Sequence, residues 1–341
     1  MCDNPVYFNP SYKQQAVTGG SFPDSNFLGC LIAICVYSKY DLIENIFASH
    51  PEDFVKYGIY TCRFYVDGEW VEVITDTFIP CLKDNMTGAY HAAYGRSTNS
   101  DEFWVSLVEK AFAKALGNYQ EIAAMKIHKI LLHLTGGSVQ QISLYDEATR
   151  LDLLNENASW NEFKKRCSDN CLVILMPSEK KSNDSNFENF DEMGRVDEDS
   201  FIPGKLYSVI LCKELGGYEL VLMHNPWNDS SHVWTGEWSD QSNDWDLYPE
   251  LLVEVERDPS IPWTRRHPNG YFWISYRSCV KYFSKLFTCR LFPNGEYNFY
   301  CTKGESKGSR CGGPLTTVRE RDLVLKEAVA SKTNALHKVY T

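Results

Sequence analysis

Leu222-Met223-His224-Asn225-Pro226-Trp227 closes an apolar run with an imidazole, an amide and an indole side by side, and Trp234-Thr235-Gly236-Glu237-Trp238-Ser239-Asp240 follows seven residues later. An imidazole can move protons near neutral pH, and an amide can orient one. If residues 224 and 225 share one strand, however, their side chains point to opposite faces. Twelve cysteines offer thiol chemistry. Cys30 and Cys35 sit in the apolar stretch 28–36 and read as buried packing thiols. Cys167 and Cys171, and Cys301 and Cys311, lack partner pairs at zinc-site spacing.

The elements that must hold these residues can be read from periodicity. Leu31, Ile32, Ile34 and Cys35, then Leu42, Ile43, Ile46 and Phe47, predict a buried helix, a break near Ser38 and a second helix capped by Asp41. Ile59 to Val66 alternates as a strand, Asp67-Gly68 signals a hairpin turn, and Glu69 to Asp76 returns as its partner. Asp101-Glu102-Phe103-Trp104 opens a helix through about Leu116, with its acids at the positive end. Leu151 to Asn170 reads as helix, Cys171 to Met176 as a buried strand, and Leu206 to Cys212 pairs with Tyr218 to Met223 across Gly216-Gly217. Phe272 to Ser275 is a further strand, Tyr282 to Leu286 a short helix, and Val318 to Ala335 a charged amphipathic helix. Residues 178–200 form a polar, acidic loop without EF-hand spacing at 184–199.

Bulk composition narrows the partners. The 341 residues are 43% hydrophobic, 14% aromatic and 23% charged, which describes a globular protein able to fill real cores. A net charge of −11 with no basic run argues against nucleic acid. No apolar run reaches membrane-spanning length, and the start Met1-Cys2-Asp3-Asn4-Pro5 lacks the parts of a secretory leader. Reduced thiols in the cytoplasm are therefore expected, with no membrane insertion and no lipid anchor at Cys2.

Taken together, the motifs resemble the calpain-type cysteine protease core. Gly68-Glu69-Trp70-Val71-Glu72-Val73 with Asp76 and Pro80 is similar to the calpain hairpin. Glu102-Phe103-Trp104 with Leu107, Glu109-Lys110-Ala111 and Ala113-Lys114 is similar to a calpain helix. Thr135-Gly136-Gly137, Asn225-Pro226-Trp227, the Trp234–Asp240 run, Phe272-Trp273-Ile274-Ser275 and Cys289 then follow in family order. Similarity covers roughly residues 20–292. The resemblance implies an α+β, papain-like core of two lobes, the first helical with a small β-hairpin and the second rich in strands. The expected division is an N-terminal arm over 1–20, a first lobe over 21–137, a second lobe over 138–292, and an extension over 293–341. That extension reads as a truncated β-sandwich entry followed by a C-terminal helix.

The same resemblance assigns site positions. Calpains carry the nucleophile in Leu-Gly-Asp-Cys-Trp-Leu-Leu-Ala-Ala, which aligned without gaps on Leu31-Ile32-Ala33 falls on Gly29. Restoring Cys30 requires one deletion on each side of it. Lys205, in Gly204-Lys205-Leu206-Tyr207-Ser208-Val209, stands at the position of the family's general base. Lysine at its ordinary pKa of about 10.4 is protonated at neutral pH and accepts no thiol proton. The oxyanion glutamine falls on Pro23, or on Ser25 in the gapped register, while Asn225 and the shielding Trp227 persist. Calcium, the family's cation, loses ligands at Gly20, Gln120 and Asn269-Gly270-Tyr271, leaving Asp240 as the residual position.

These substitutions lead to the expectation of a catalytically inactive scaffold without cofactor, similar to the degenerate calpain-like proteins of kinetoplastids and other flagellated protists. Its expected partners are other proteins, microtubule or axonemal components among them, and its expected location is cytoplasmic, at the cytoskeleton or flagellum. Two alternatives stand beside it: an active endopeptidase using Cys30, a rearranged base and Asn225, and a calcium-responsive, non-catalytic binding module.

Overall fold

A computed structural model describes residues 17–19, 25–37, 39, 41–48, 56–99, 101–144, 157–177, 201–226, 234–266 and 269–292. The described residues all belong to one compact unit. The acidic loop 184–199, the helix expected over 318–335, and Cys2, Gly20, Pro23 and Trp227 lie outside the described residues. The chain is of mixed helix and strand, consistent with a calpain protease core.

Helix α1 (Ser25–Val36) forms the centre of the first part. Its residues from Phe27 to Val36 are apolar on every side, and such a helix is stable only when wrapped all round. Strands β2 (Ile59–Val66) and β3 (Glu69–Asp76) follow as the expected hairpin, with Val66 opposite Glu69. The two-residue turn needs positive φ twice, and Asp67 (50°) and Gly68 (87°) supply it. The second helix expected after Ser38 is only a 3₁₀ turn, Glu44–Ile46, starting after Ile43 rather than Asp41. Its apolar residues are drawn into the core beside the Phe47–Cys62 bridge before a full helix can form.

Helix α2 spans Trp104–Leu116, so Asp101 and Glu102 precede it instead of filling its first turn. Glu102 is buried and accepts the Ser97 hydroxyl at 3.0 Å. Within α2 the buried Glu109 accepts the Gly95 amide at 2.7 Å, and Ser106 donates to the Gly95 carbonyl at 2.6 Å. Helices α3 (Tyr119–Ala124) and α4 (Ile127–Thr135) complete this part. Two further two-stranded sheets join β1 (Val17–Thr18) with β6 (Arg96–Ser97), and β4 (Cys81–Lys83) with β5 (Tyr90–Ala92).

A six-stranded antiparallel sheet dominates the rest. It comprises β7 (Ser138–Ser143), β8 (Cys171–Pro177), β9 (Tyr207–Leu215), β10 (Tyr218–His224), β11 (Tyr271–Ser275) and β12 (Phe283–Arg290), in the spatial order β11-β10-β9-β8-β12-β7. Both faces of β8 are covered. Leu172, Ile174 and Met176 join the core around α1, while Val173 and Leu175 join a second core. That second core includes Trp160 and Phe163 of α5 (Asn157–Ser168), which matches the later part of the expected helix; residues 151–156 lie outside the described residues. A third core gathers Trp238, Trp245, Trp263 and Trp273 beneath α6 (Asp244–Leu247) and α7 (Pro249–Arg257).

The helix expected over Tyr282–Leu286 is corrected to strand. Helix α8 is Tyr276–Tyr282, started by Ser275, whose hydroxyl accepts the Ser278 amide, and β12 takes over at Phe283. Strand β12 is buried on both faces, Ser284 and Thr288 included, so it lacks the alternation that would have marked it in the sequence.

Candidate active site

The corner where α1 meets the start of β9 is the place to examine. An added Cβ on Gly29 would lie 3.0–3.2 Å from the side chain of Leu206, so this face of α1 rests directly on the residue after Lys205. Strands β9 and β10 are antiparallel with Ser208 opposite His224. The start of β9 and the end of β10 therefore lie side by side, and the face of α1 at Gly29 looks toward the start of β9.

Cys30 does not. One residue along α1 turns a side chain by about 100°, and the Cys30 thiol lies fully buried in the first core beside Cys289 of β12. Strands β12 and β10 are separated by β9 and β8, three strand spacings or roughly 14 Å. Burial pushes the Cys30 thiol well above its ordinary value, and the neighbouring Cys289 adds to the rise. Cys35 is buried in the same core.

His224, expected to be an ordinary half-buried residue, is only 4% exposed. It shares a sheet face with Leu220 and Leu222, its ring stands 4.7 Å from that of Tyr271, and its Nδ1 has no hydrogen-bond partner among the described residues. Burial lowers its pKa to about 4, so the imidazole is neutral at physiological pH and, while buried, only a weak base. Asn225 is half-buried and its amide N–H donates to the Gly270 carbonyl at 2.7 Å, anchoring the end of β10 against the loop before β11. Lys205 is half-buried, and its backbone amide donates to Ile202 at 3.2 Å.

Around this corner the tryptophan motif is structural. Trp234 stacks on Phe201 at 5.5 Å and donates Nε1 to the Glu237 carbonyl at 2.8 Å. Glu237 accepts the hydroxyls of Ser275 and Ser278, tying the motif to the start of α8. Nothing in the sequence pairs Glu237 with these serines, and only the fold brings them together.

The residues at the family's calcium positions do not fit a hard cation. Asp240 Oδ1 accepts the Trp263 indole N–H at 2.7 Å, and burial raises its pKa, which disfavours the charged form a cation would need. Asn269 is occupied by backbone, donating to the Pro262 carbonyl at 2.6 Å and accepting the Tyr271 amide at 3.3 Å. Among the described residues no group of three His, Cys, Asp or Glu side chains is placed to hold a metal. No helix there is long and apolar enough to cross a membrane.

Comparison with known proteins extends the picture. The family model for calpain family cysteine proteases matches residues 1–290. The chain is 28% identical over 313 residues to the maize calpain-type cysteine protease DEK1, covering 91% of this chain and 13% of that protein. It is 29% identical over 310 residues to the Arabidopsis thaliana protein of the same name, with 91% and 13% covered. To the human calpain-1 catalytic subunit it is 27% identical over 306 residues, with 86% and 37% covered. The chain thus spans well under half the length of these relatives.

These matches overturn the expectation of a catalytically inactive scaffold, because the proteins the chain resembles are named as calpain proteases. That expectation rested on Gly29, Lys205 and Pro23 at the family's nucleophile, base and oxyanion positions, and the comparisons do not bear on those positions one by one. The chain still carries a thiol within the first two turns of α1. No comparison carries the cytoskeletal or flagellar association.

Proposed function

Because the chain belongs to the calpain family of cysteine proteases, we propose that it is the protease core of a thiol-dependent endopeptidase acting on protein substrates. Cys30 is the nucleophile, His224 the acid–base group, and Asn225 the residue that fixes the end of β10. The observation carrying this reading is the family match over residues 1–290 together with a thiol next to the α1 position that faces the β9–β10 corner.

The chemistry follows from the residue types. In the described conformation the thiol points into the core, so reaction requires α1 to turn by one residue position and bring Cys30 to the Leu206 face that Gly29 now occupies. The same movement must also relieve the burial that keeps His224 weakly basic and the thiol protonated; the ring then accepts the thiol proton, and the thiolate adds to the scissile carbonyl. The imidazolium returns the proton to the leaving amine, and water then hydrolyses the thioester. A thiol that must be uncovered before it reacts makes cleavage gated, which keeps a protease core from indiscriminate attack. Reduced thiols throughout the described cysteines support a cytoplasmic setting.

The test is cleavage of unfolded casein by the purified chain, in calcium and in chelator, alongside labelling by a peptidyl electrophile. Cleavage and Cys30 labelling are expected, with both lost in Cys30→Ala, cleavage reduced in His224→Gln, and both retained in Cys35→Ala. No cleavage and no Cys30 labelling in either condition would overturn the proposal, as would cleavage that survives Cys30→Ala.

A further inference from the structure

On the face of the sheet turned away from α1, four cysteines from four elements gather at the second core: Cys167 of α5, Cys171 of β8, Cys212 of β9 and Cys279 of α8. Their meeting depends on an irregularity in β9. Tyr207 and Val209 face the second core, and strict alternation would turn residue 212 away from it. A bulge opposite Leu222/Met223 shifts the parity, so Cys212 pairs across from Val221 and faces that core too. Helix α5 packs over the strand there, which brings Cys167 and Cys212 to the same part of that core. Both residues are half-buried, whereas Cys279 is buried with its sulfur 3.9 Å from that of Met223.

We infer that Cys167 and Cys212 are a reversible redox pair, a disulfide-forming modification site that clamps α5 to β9 when the protein meets a peroxide. The thiolate of one cysteine attacks a peroxide oxygen, breaking the O–O bond and leaving a sulfenic acid and, after protonation, water. The second thiol attacks the sulfenic sulfur, forms the S–S bond and releases a second water. Two thiols lose two electrons and two protons, and hydrogen peroxide becomes two waters. A dithiol reductant reverses the reaction. The bond closes the chain between residues 167 and 212, a cross-link that restricts the unfolded ensemble. It uses neither Cys30 nor His224, so its outcome is independent of the peptidase reading.

The experiment treats the full chain with hydrogen peroxide, alkylates remaining thiols under native conditions, and maps digests by mass spectrometry. A linked peptide joining Cys167 to Cys212 is expected, with both sites lost from alkylation and recovered after dithiothreitol, and with the thermal midpoint raised in the oxidised form. Cys167→Ser and Cys212→Ser, nearly isosteric and checked for unchanged midpoints when reduced, should each abolish the linked peptide, leaving the surviving thiol to oxidise further. Oxidised protein in which both thiols still alkylate would refute the pair. So would links that join either cysteine instead to Cys171, Cys81 or Cys279.

Discussion

Replacing His224 with glutamine isolates the acid–base behaviour of the β9–β10 corner. Burial lowers the imidazole pKa from its ordinary 6.5 to about 4 in the folded chain. The unfolded chain therefore takes up the proton first as pH falls. The stability that the neutral ring contributes is fully present above about pH 6.5 and lost progressively down to about pH 4. For a single site with these two values, the loss between about pH 7 and about pH 5 is about 2 kcal/mol. Carboxylates held low by hydrogen bonds, such as Asp76 beside Lys110 and Asp258 beside Ser260, lose their contribution in a more acidic window. Glu219 and Asp240, whose pKa values burial raises, act with the opposite sign. Subtracting the variant's pH dependence from that of the parent removes these shared terms. The assay is urea unfolding at the two pH values, following tryptophan fluorescence. Equal losses in parent and variant, within about 0.5 kcal/mol, would show that His224 titrates as an ordinary surface histidine and would remove the argument that burial holds the ring neutral.

Two substitutions probe the supports around the site. Gly95→Ala would push a methyl to 2.5 Å from Leu28 Cδ2 and 2.8 Å from Glu109 Oε2, disturbing the seat of α1. We expect a loss of about 1–3 kcal/mol by denaturant unfolding, and a change below the error of the fit would contradict that packing. Trp263→Phe keeps most of the ring contact with Trp245 but removes the donor to Asp240, leaving a buried acceptor. The expected cost is about 1–3 kcal/mol, smaller in Asp240→Asn than in the native background if that hydrogen bond is the cause.

Much of the scaffold was legible because its signals are local. The β2–β3 hairpin followed from alternation plus Asp67-Gly68, and β8 from an unbroken apolar run bounded by polar residues. What failed did so where tertiary packing overrode local pattern. Leu42 to Phe47 has helical spacing, yet its apolar residues pack where the fold allows only a single turn. Strand β12, covered on both faces, shows no period for a reader to find. Asp101 and Glu102 resembled a helix start, but Glu102 instead binds Ser97 in the interior. At the site, residue identities could be read directly, whereas direction could not. A one-residue difference decides whether Gly29 or Cys30 faces Leu206, and the burial of His224 depends on Tyr271 and the loop before β11. The bulge in β9 that gathers the cysteines left no mark in the sequence at all.

Strand order in the large sheet has a consequence for biosynthesis. Strand β12, the last in sequence of the described strands, inserts between β8 and β7, and β7 has no other partner among the described residues. Until the ribosome has released residues 283–290, the nascent chain holds two unsatisfied strand edges waiting for the same late segment. Synthesis that pauses before Phe283 therefore leaves the chain at its most adhesive, and a chaperone that shields those edges would be needed most at that moment.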